Sequence, residues 1–242
     1  MSQPQSTPAG NAPLVVFDFD HTLYNGDSGS HLYWWLICRK WWRVLLALLL
    51  APIAGPLVAF LSTRRAGISM FTWAGTVGLN GPRDVELLTA CYVALHAAAI
   101  KQRLLPIGLA VFRRHREAGD CVVLATGAPP ALARAILTLA GQGDVPVIGT
   151  VLGPGHGGMV VQQHCHYAMK MTMLRAAGYT RQVAAAYSDS SADLPLLQAA
   201  QQPVVVNPKA GRVVMFRRVL PAGTPILNWG CPGRAGDLMG VA

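Results

Sequence analysis

Two aspartates one residue apart, directly after an apolar run, are the strongest chemical signal in the chain. Asp18 and Asp20 follow Leu14–Phe17, which is short and apolar enough to be a buried strand of a parallel sheet. Open α/β sheets bind their ligands at the carboxyl ends of such strands. Because two neighbouring carboxylates repel each other unless they share a cation or a proton, the pattern predicts a reactive site with a bound metal ion.

Further polar groups follow later apolar runs. One run ends in Thr126 and Gly127, a later one is followed closely by Asp189, and Lys170 stands at the start of a predicted helix. Carboxylates are ligands that Mg²⁺ prefers, whereas a hydroxyl, a backbone amide near a helix start and an ammonium suit a phosphoryl group. Since one carboxylate can attack phosphorus while another transfers the proton, the set predicts phosphoryl-transfer chemistry.

The elements that would position these groups alternate between strands and helices. This alternation predicts an α/β fold in which helices cover both faces of a parallel sheet. The predicted strands after the first one span residues 121–126, 147–152, 159–163, 183–187 and 204–206. The predicted helices beyond the first third of the chain span residues 85–103, 106–118, 130–140, 170–177 and 193–200. Because parallel strands end at one edge of a sheet, the polar groups are expected to converge there.

Four motifs, in this order, resemble those of the haloacid dehalogenase superfamily of phosphatases. They are Asp18-Phe-Asp20-His-Thr22, Thr126-Gly127, Lys170 and Asp189-Ser-Ser-Ala-Asp193. The resemblance implies a Rossmann-like core with a helical cap inserted after the first strand. It also implies that Asp18 is the nucleophile, that Asp20 is the acid and base, and that the enzyme proceeds through an aspartyl-phosphate. His21 stands where many members of the superfamily have glycine.

The same resemblance implies which residues hold the phosphoryl group and the metal. Thr126, Gly127 and Lys170 would bind the phosphoryl group. The implied Mg²⁺ ligands are Asp18, the backbone carbonyl of Asp20, and Asp189. Asp193 would contact these ligands rather than the metal itself, or would bind the metal through a water molecule.

The amino-acid composition indicates which classes of binding partner to expect. The chain has 242 residues, of which 52% are hydrophobic and 13% are charged, with 20 lysines and arginines against 11 acids. A surface this basic attracts anions. No helix-turn-helix, zinc-finger or aromatic RNA-binding signature is present, so we expect no nucleic acid partner. Five cysteines without a C-x-x-C pair indicate reduced thiols in a cytoplasmic setting.

An apolar, basic segment indicates contact with a membrane. Residues 28–83 hold no acid, six basic residues and five of the six tryptophans, and residues 44–61 form an uncharged run. Pro52, Gly55 and Pro56 would break this run, which predicts a re-entrant or interfacial helical hairpin on the cytoplasmic side of the inner membrane. The alternative is a soluble cap whose apolar face packs on itself or on a partner subunit.

Two branches of the superfamily resemble this chain. In phosphoserine phosphatases a soluble helical cap carries an acid that contacts the substrate, and Asp27 stands at the matching position. The basic, tryptophan-rich run and the motif around Asp189 are similar instead to phosphatidylglycerophosphatase C, a membrane-associated branch. The resulting hypotheses are a phosphatase of a lipid phosphate such as phosphatidylglycerophosphate, a soluble small-molecule phosphatase, and, more remotely, a non-catalytic lipid-binding protein.

The expected domain organisation follows from these elements. The catalytic core would comprise residues 14–26 and 104–229, and the cap would comprise residues 27–103. Residues 1–13 are interpreted as a disordered tail, and residues 230–242 stay unassigned. The triplet His164-Cys165-His166 is interpreted as a loop or strand end, because a metal site would need a further ligand.

Overall fold

The computed structural model describes residues 12–60 and 62–238, so most of the predicted tail 1–13 lies outside the described residues. Seven strands form one parallel sheet in the order β3-β2-β1-β6-β7-β8-β9. They are β1 (Leu14–Phe17), β2 (Cys121–Thr126), β3 (Val147–Gly149), β6 (Val183–Ser188), β7 (Ala200–Val206), β8 (Ile226–Asn228) and β9 (Asp237–Leu238). The remaining two, β4 (Val151–Gly155) and β5 (Gly158–Gln163), pair as a separate antiparallel hairpin.

The central strands β1 and β2 are buried on both faces, which is why they are apolar almost throughout rather than alternating. In β1, Val15 and Phe17 belong to one hydrophobic core, and Leu14 and Val16 belong to the other. The first core includes residues of α6 (Pro106–Glu117) and α7 (Pro130–Thr138). The second includes residues of α8 (Ala168–Ala176), α9 (Leu194–Ala199) and α10 (Val213–Val219). The predicted α/β fold with helices on both faces is confirmed.

Five helices lie between β1 and α6, in the part of the chain where the sequence predicts a helical cap. They are α1 (Ser28–Cys38), α2 (Trp41–Ala59), α3 (Arg64–Thr76), α4 (Pro82–Leu95) and α5 (Ala97–Arg103). Helix α3 lies along the β4–β5 hairpin of the core. The Val161 amide donates to the Ser69 hydroxyl at 3.0 Å, and the Trp73 indole donates to the His156 carbonyl at 2.9 Å. The hairpin thus ties the cap to the core.

The predicted helical hairpin within residues 44–61 is wrong. Helix α2 runs without interruption from Trp41 to Ala59 and contains both Pro52 and Pro56. Both prolines lie on its exposed side, where the backbone carbonyls that lose a hydrogen bond can be solvated. The opposite side packs closely on α3, since a Cβ at Gly67 would lie 2.7 Å from the Ala54 carbonyl. This packing stabilises the helix despite its local helix breakers.

Two other predicted elements divide in the structure, and one region without a predicted element contains a strand. The helix predicted for residues 85–103 is two helices, because the backbone leaves helical geometry at His96. The strand predicted for residues 147–152 divides into β3 of the main sheet and β4 of the hairpin. Thr150 lies at the division, where its hydroxyl donates to the Gly127 carbonyl at 2.6 Å and directs the chain out of the sheet. The unassigned tail adds β9, which pairs with β8.

Candidate active site

The first two acids lie at the carboxyl end of β1, at the centre of the sheet. The backbone amide of Asp18 donates to the Tyr187 carbonyl at 2.8 Å, which prolongs the pairing of β1 with β6. The chain then turns tightly, with three successive amides directed at the Phe19 carbonyl and with His21 in the left-handed region at φ 57°. That conformation favours glycine and explains the glycine common at this position in the resembling superfamily.

Burial raises the pKa values of both acids, but their partners differ. The pKa of Asp18 rises to about 6 through burial, opposed by the ammonium of Lys170, which lies 2.8 Å from Oδ1. Burial, reinforced by the charge of Asp27, raises the pKa of Asp20 well above its usual range. Asp20 accepts a hydrogen bond only from the Ser28 amide, at 2.9 Å, among the described residues. The acid beside the cation is therefore suited to react as a carboxylate, and the other is suited to carry a proton.

Lys170 joins two acids from separate strands. It lies in the first turn of α8, its side chain is buried, and its Nζ donates to Asp18 Oδ1 at 2.8 Å and to Asp193 Oδ2 at 2.7 Å. Burial by itself would lower the pKa of Lys170, but the two carboxylates raise it above the ordinary lysine value. The lysine is therefore a permanent positive charge at the floor of the site.

The two acids of the last motif differ in their surroundings. Asp193 is buried, and its Oδ2 also accepts a hydrogen bond from the Ser188 hydroxyl at 2.6 Å. Its Oδ1 is buried and has no partner among the described residues. Asp189 forms an ion pair with Arg234, whose Nη1 lies 3.1 Å from its Oδ2. Burial and the charge of Asp18 raise the pKa of Asp189 to about 8, opposed by Arg234.

The turn after β2 reaches the site through its backbone rather than through a freely exposed side chain. Thr126 is buried, and its Oγ1 accepts the Ala128 amide at 3.0 Å, which leaves its own hydroxyl hydrogen free to donate. Gly127 and Ala128 line the cavity in front of Asp18, but Thr126 does not. The structure therefore brings this turn to the predicted site through its backbone, with the threonine hydroxyl behind it.

A cavity of about 390 Å³ brings these groups together under the cap. The core side of its lining includes Asp18, Asp20, Lys170, Asp189 and Asp193. The cap side includes Asp27, Tyr33, Val58, Arg64 and Ile68. Asp27 also caps α1 by accepting the Ser30 amide at 2.8 Å, so it is both a cavity residue and a helix cap. All predicted site residues except Thr126 thus line one cavity.

Several cavity residues were not predicted from the sequence. Arg64 donates through Nε to the Val58 carbonyl at 3.0 Å and lies 3.0 Å from His166 Nε2. His166 stacks on His164 with ring centroids 5.1 Å apart. Burial, with Arg64 as a further cause, lowers the pKa of both histidines to about 4, so both are neutral near pH 7. The triplet 164–166 is a loop, as interpreted, but it forms a wall of the site; no local pattern indicated this.

The residues present suit a hard divalent cation. Asp18 and Asp189 each give one oxygen to a cationic side chain, which leaves the second oxygen of each carboxylate available. The turn after β1 uses the Phe19 and Tyr24 carbonyls and leaves the Asp20 carbonyl outside its hydrogen bonds. The unpartnered Asp193 Oδ1 suits a bridging water. No three acids, histidines or cysteines of the described chain already form a metal cluster.

Comparison with known proteins places this site in a family. Residues 15–198 match the family described as haloacid dehalogenase-like hydrolase. Protein CicA of Caulobacter vibrioides is 27% identical over 213 residues, which cover 83% of this chain and 89% of that protein.

Two solved structures show the same fold. A protein with unknown function from Bordetella pertussis Tohama I superposes with a TM-score of 0.63 at 20% identity, covering 88% of this chain and 98% of that chain. A substrate-bound phosphoserine phosphatase superposes with a TM-score of 0.52 at 12% identity, covering 88% and 92%. Because the family match spans most of the chain and includes the predicted motifs up to Asp193, the protein belongs to the haloacid dehalogenase-like hydrolase family.

Proposed function

We propose that this hydrolase is a Mg²⁺-dependent phosphatase that removes a phosphomonoester group through an aspartyl-phosphate on Asp18. The observation that carries the proposal is the buried pair of Asp18 and Lys170, joined at 2.8 Å in the cavity that Asp20, Gly127 and Ala128 also line. A phosphoryl group in this cavity would meet a carboxylate, an ammonium and the backbone of Gly127 together. Phosphoryl transfer needs little more than this positioning and charge neutralisation.

The proposed reaction has two steps. In the first, a carboxylate oxygen of Asp18 forms a bond to phosphorus while the bond to the leaving oxygen breaks, and Asp20 gives that leaving oxygen a proton. In the second, Asp20 takes a proton from a water molecule, whose oxygen attacks phosphorus and releases inorganic phosphate and free Asp18. Lys170 and the backbone of Gly127 would hold the phosphoryl oxygens throughout, and the Thr126 hydroxyl would support the turn after β2 from behind.

The metal would neutralise phosphoryl charge beside the attacking carboxylate. The residues that would hold it are Asp18, the Asp20 carbonyl and Asp189, with Asp193 contributing through water. These assignments rest on the oxygen atoms that remain available in the described cavity. They are also the residues that the sequence motifs predicted.

For the substrate we propose a membrane lipid phosphate, such as phosphatidylglycerophosphate. Helix α2 is the one described helix long and apolar enough, by length and composition, to cross a membrane. Its large apolar side chains are exposed along a single stripe with spacings of three and four residues. The stripe consists of Trp41, Trp42, Leu45, Leu48, Leu49 and Ile53, and the exposed Phe60 follows the end of the helix. Such a patch supports contact with a lipid surface.

The packing of α2 favours an interfacial rather than a spanning position. Arg43 in its first turn is buried and donates to the Val77 carbonyl at 2.7 Å, which ties the helix start to the end of α3. Val58 near its other end lines the catalytic cavity. A helix held to the cap at both ends would lie along the surface of a membrane and place the cavity beside lipid headgroups. Arg39, Lys40 and Arg65 are exposed and would meet their phosphates, whereas Arg43 and Arg64 face the protein.

A soluble phosphorylated amino acid is a second candidate substrate. Asp27 and Arg64 place an acid and a base on the cap side of the cavity, which would match the ammonium and carboxylate of such a molecule. The related fold of a substrate-bound phosphoserine phosphatase supports this candidate. The protein would then be cytoplasmic, and the stripe on α2 would be an assembly surface.

Substrate assays separate the candidates. With Mg²⁺, we expect phosphate release from phosphatidylglycerophosphate in mixed micelles, with kcat/KM at least about tenfold above that for phosphoserine. Release from phosphoserine alone would support the soluble candidate and contradict the lipid proposal. If neither substrate is hydrolysed while the protein still binds the lipid, the catalytic proposal fails in favour of a lipid-binding protein.

Vesicle binding tests the stripe on α2 without reference to catalysis. Replacing Leu45 and Leu49 together by glutamate should lower partitioning onto phosphatidylglycerol-containing vesicles by at least about 100-fold. The reason is that transfer of two exposed leucine side chains from water into lipid contributes several kcal/mol to binding. Co-sedimentation measures this change. The matched control replaces Leu87 and Leu95, which are equally exposed on α4, and should bind as the wild type does. Equal losses in both variants would show that the stripe has no special role.

A further inference from the structure

The C-terminal segment brings a cation into the catalytic cavity. The Arg234 guanidinium lies 3.1 Å from Asp189, and both side chains are only about a tenth exposed. No other cationic side chain among the described residues forms an ion pair with Asp189. The Gly-rich segment that carries Arg234 has no periodicity that would assign it a role in the site.

The segment that carries Arg234 is held by an ordered turn between β8 and β9. The Asn228 side chain donates to the Arg234 carbonyl at 2.9 Å, and its oxygen accepts the amides of Gly230 and Cys231, each at 2.9 Å. The next amide, that of Ala235, donates to the Pro208 carbonyl at 2.9 Å. Both sides of the arginine are therefore fixed to the ends of neighbouring strands.

A second link connects this turn to the first catalytic motif. Arg234 Nη1 also donates to the Asn207 carbonyl at 3.3 Å. The buried Asn207 side chain donates to the His21 carbonyl at 2.6 Å and accepts the Trp229 amide at 2.7 Å. Asn207 thereby fixes the guanidinium relative to the turn that holds Asp18 and Asp20.

The contact between Arg234 and Asp189 leaves one carboxylate oxygen of Asp189 available to a ligand. Arg234 engages one oxygen of Asp189, and no hydrogen bond within the described chain engages the other. Lys170 contacts Asp18 and Asp193 but not Asp189. Arg234 is thus the cation that balances Asp189 and restricts the orientation of its carboxylate.

We propose that Arg234 is a positioning residue for Asp189, which it holds with one oxygen turned into the cavity for a divalent cation. The proposal rests on the proposed function only in assigning Asp189 to Mg²⁺. Groups that hydrogen-bond to a ligating carboxylate fix its orientation, and their loss weakens metal binding. If Arg234 instead competed with the cation for Asp189, its removal would strengthen Mg²⁺ binding. Whether Mg²⁺ binding weakens or strengthens in the variant therefore decides between these two roles.

Calorimetric titration of the substrate-free protein with Mg²⁺ tests the proposal. Arg234→Met should weaken Mg²⁺ binding by at least about tenfold, and Arg234→Lys, which keeps the charge, should lose less. Arg217→Met removes an exposed arginine from α10 and should bind as the wild type does. Unchanged or tighter binding in Arg234→Met would overturn the proposal, as would an equal loss in the Arg217 control.

Two further measurements separate this proposal from the proposed function and from misfolding. If wild type and Asp189→Asn bind Mg²⁺ equally, the assignment of the metal to Asp189 fails, and the role of Arg234 fails with it. In steady-state kinetics, Arg234→Met should need more Mg²⁺ for half-maximal rate yet approach the wild-type kcat at saturation. If Arg234→Met does not fold, the same titration of Arg234→Lys decides: binding at wild-type strength overturns the proposal, and weaker binding supports it.

Discussion

Asp18→Asn is expected to abolish phosphate release, with kcat reduced by at least about 10⁴-fold at saturating Mg²⁺. The amide cannot attack phosphorus, and Asp193, the other described acid beside Lys170, already accepts hydrogen bonds from both Lys170 and the Ser188 hydroxyl. Asparagine has nearly the same shape and can still accept the hydrogen bond from Lys170 Nζ, so the fold should be retained. The measurement is phosphate release by the purified variant and the wild type, together with circular dichroism and thermal unfolding.

A direct chemical readout accompanies this prediction. When the wild type is quenched in acid during turnover, a phosphate adduct should be found on the peptide that contains Asp18, and the variant should lack it. Asp144→Asn is the matched control, because Asp144 is exposed and pairs only with Arg116 on the surface. If Asp18→Asn kept more than about a tenth of the wild-type rate, covalent catalysis at Asp18 would be excluded.

Lys170→Met is expected to lose both activity and stability. Removing one partner of a buried ion pair costs about 3–5 kcal/mol, because the remaining charges stay unpaired. Here the change leaves Asp18 and Asp193 facing each other without a cation. For a chain of this length the loss corresponds to a fall in Tm of roughly 10 °C. Lys101→Met, which removes an exposed lysine from α5, should leave Tm unchanged.

The loss in Lys170→Met should depend on pH in a defined direction. The pKa of Asp18 is already raised to about 6 from 3.8, and removing the lysine raises it further. A carboxyl whose pKa is higher in the folded state destabilises that state when ionised, so the folded variant gains relative stability as it takes up a proton. The Tm difference from wild type should therefore be greatest above pH 6 and smaller at pH 5. A difference that is constant or grows on acidification would show that lost packing, not unpaired charge, dominates.

The sequence predicted the central strands and their terminal acids because those signals are local. A strand buried on both faces must be apolar throughout, so β1, β2 and β6 are visible as short apolar runs, each followed by polar residues. The chain order of the motifs then assigned Asp18, Asp20 and Asp189 to one edge of the sheet. Local rules failed at α2, since the prolines and glycine in residues 52–56 favour a turn but packing on α3 keeps the helix continuous.

The amino-acid sequence by itself determined that the chain is an α/β hydrolase and which acids its strands carry to the site. Only the tertiary structure decided which lysine or arginine side chain contacts which aspartate. Lys170 meets Asp18 across 152 positions of the chain, and Arg234 meets Asp189 from a segment without recognisable periodicity. It also decided that the apolar side chains of α2 form one exposed stripe. These pairings depend on parallel strands and on packing between distant helices, so no local pattern of residues encodes them.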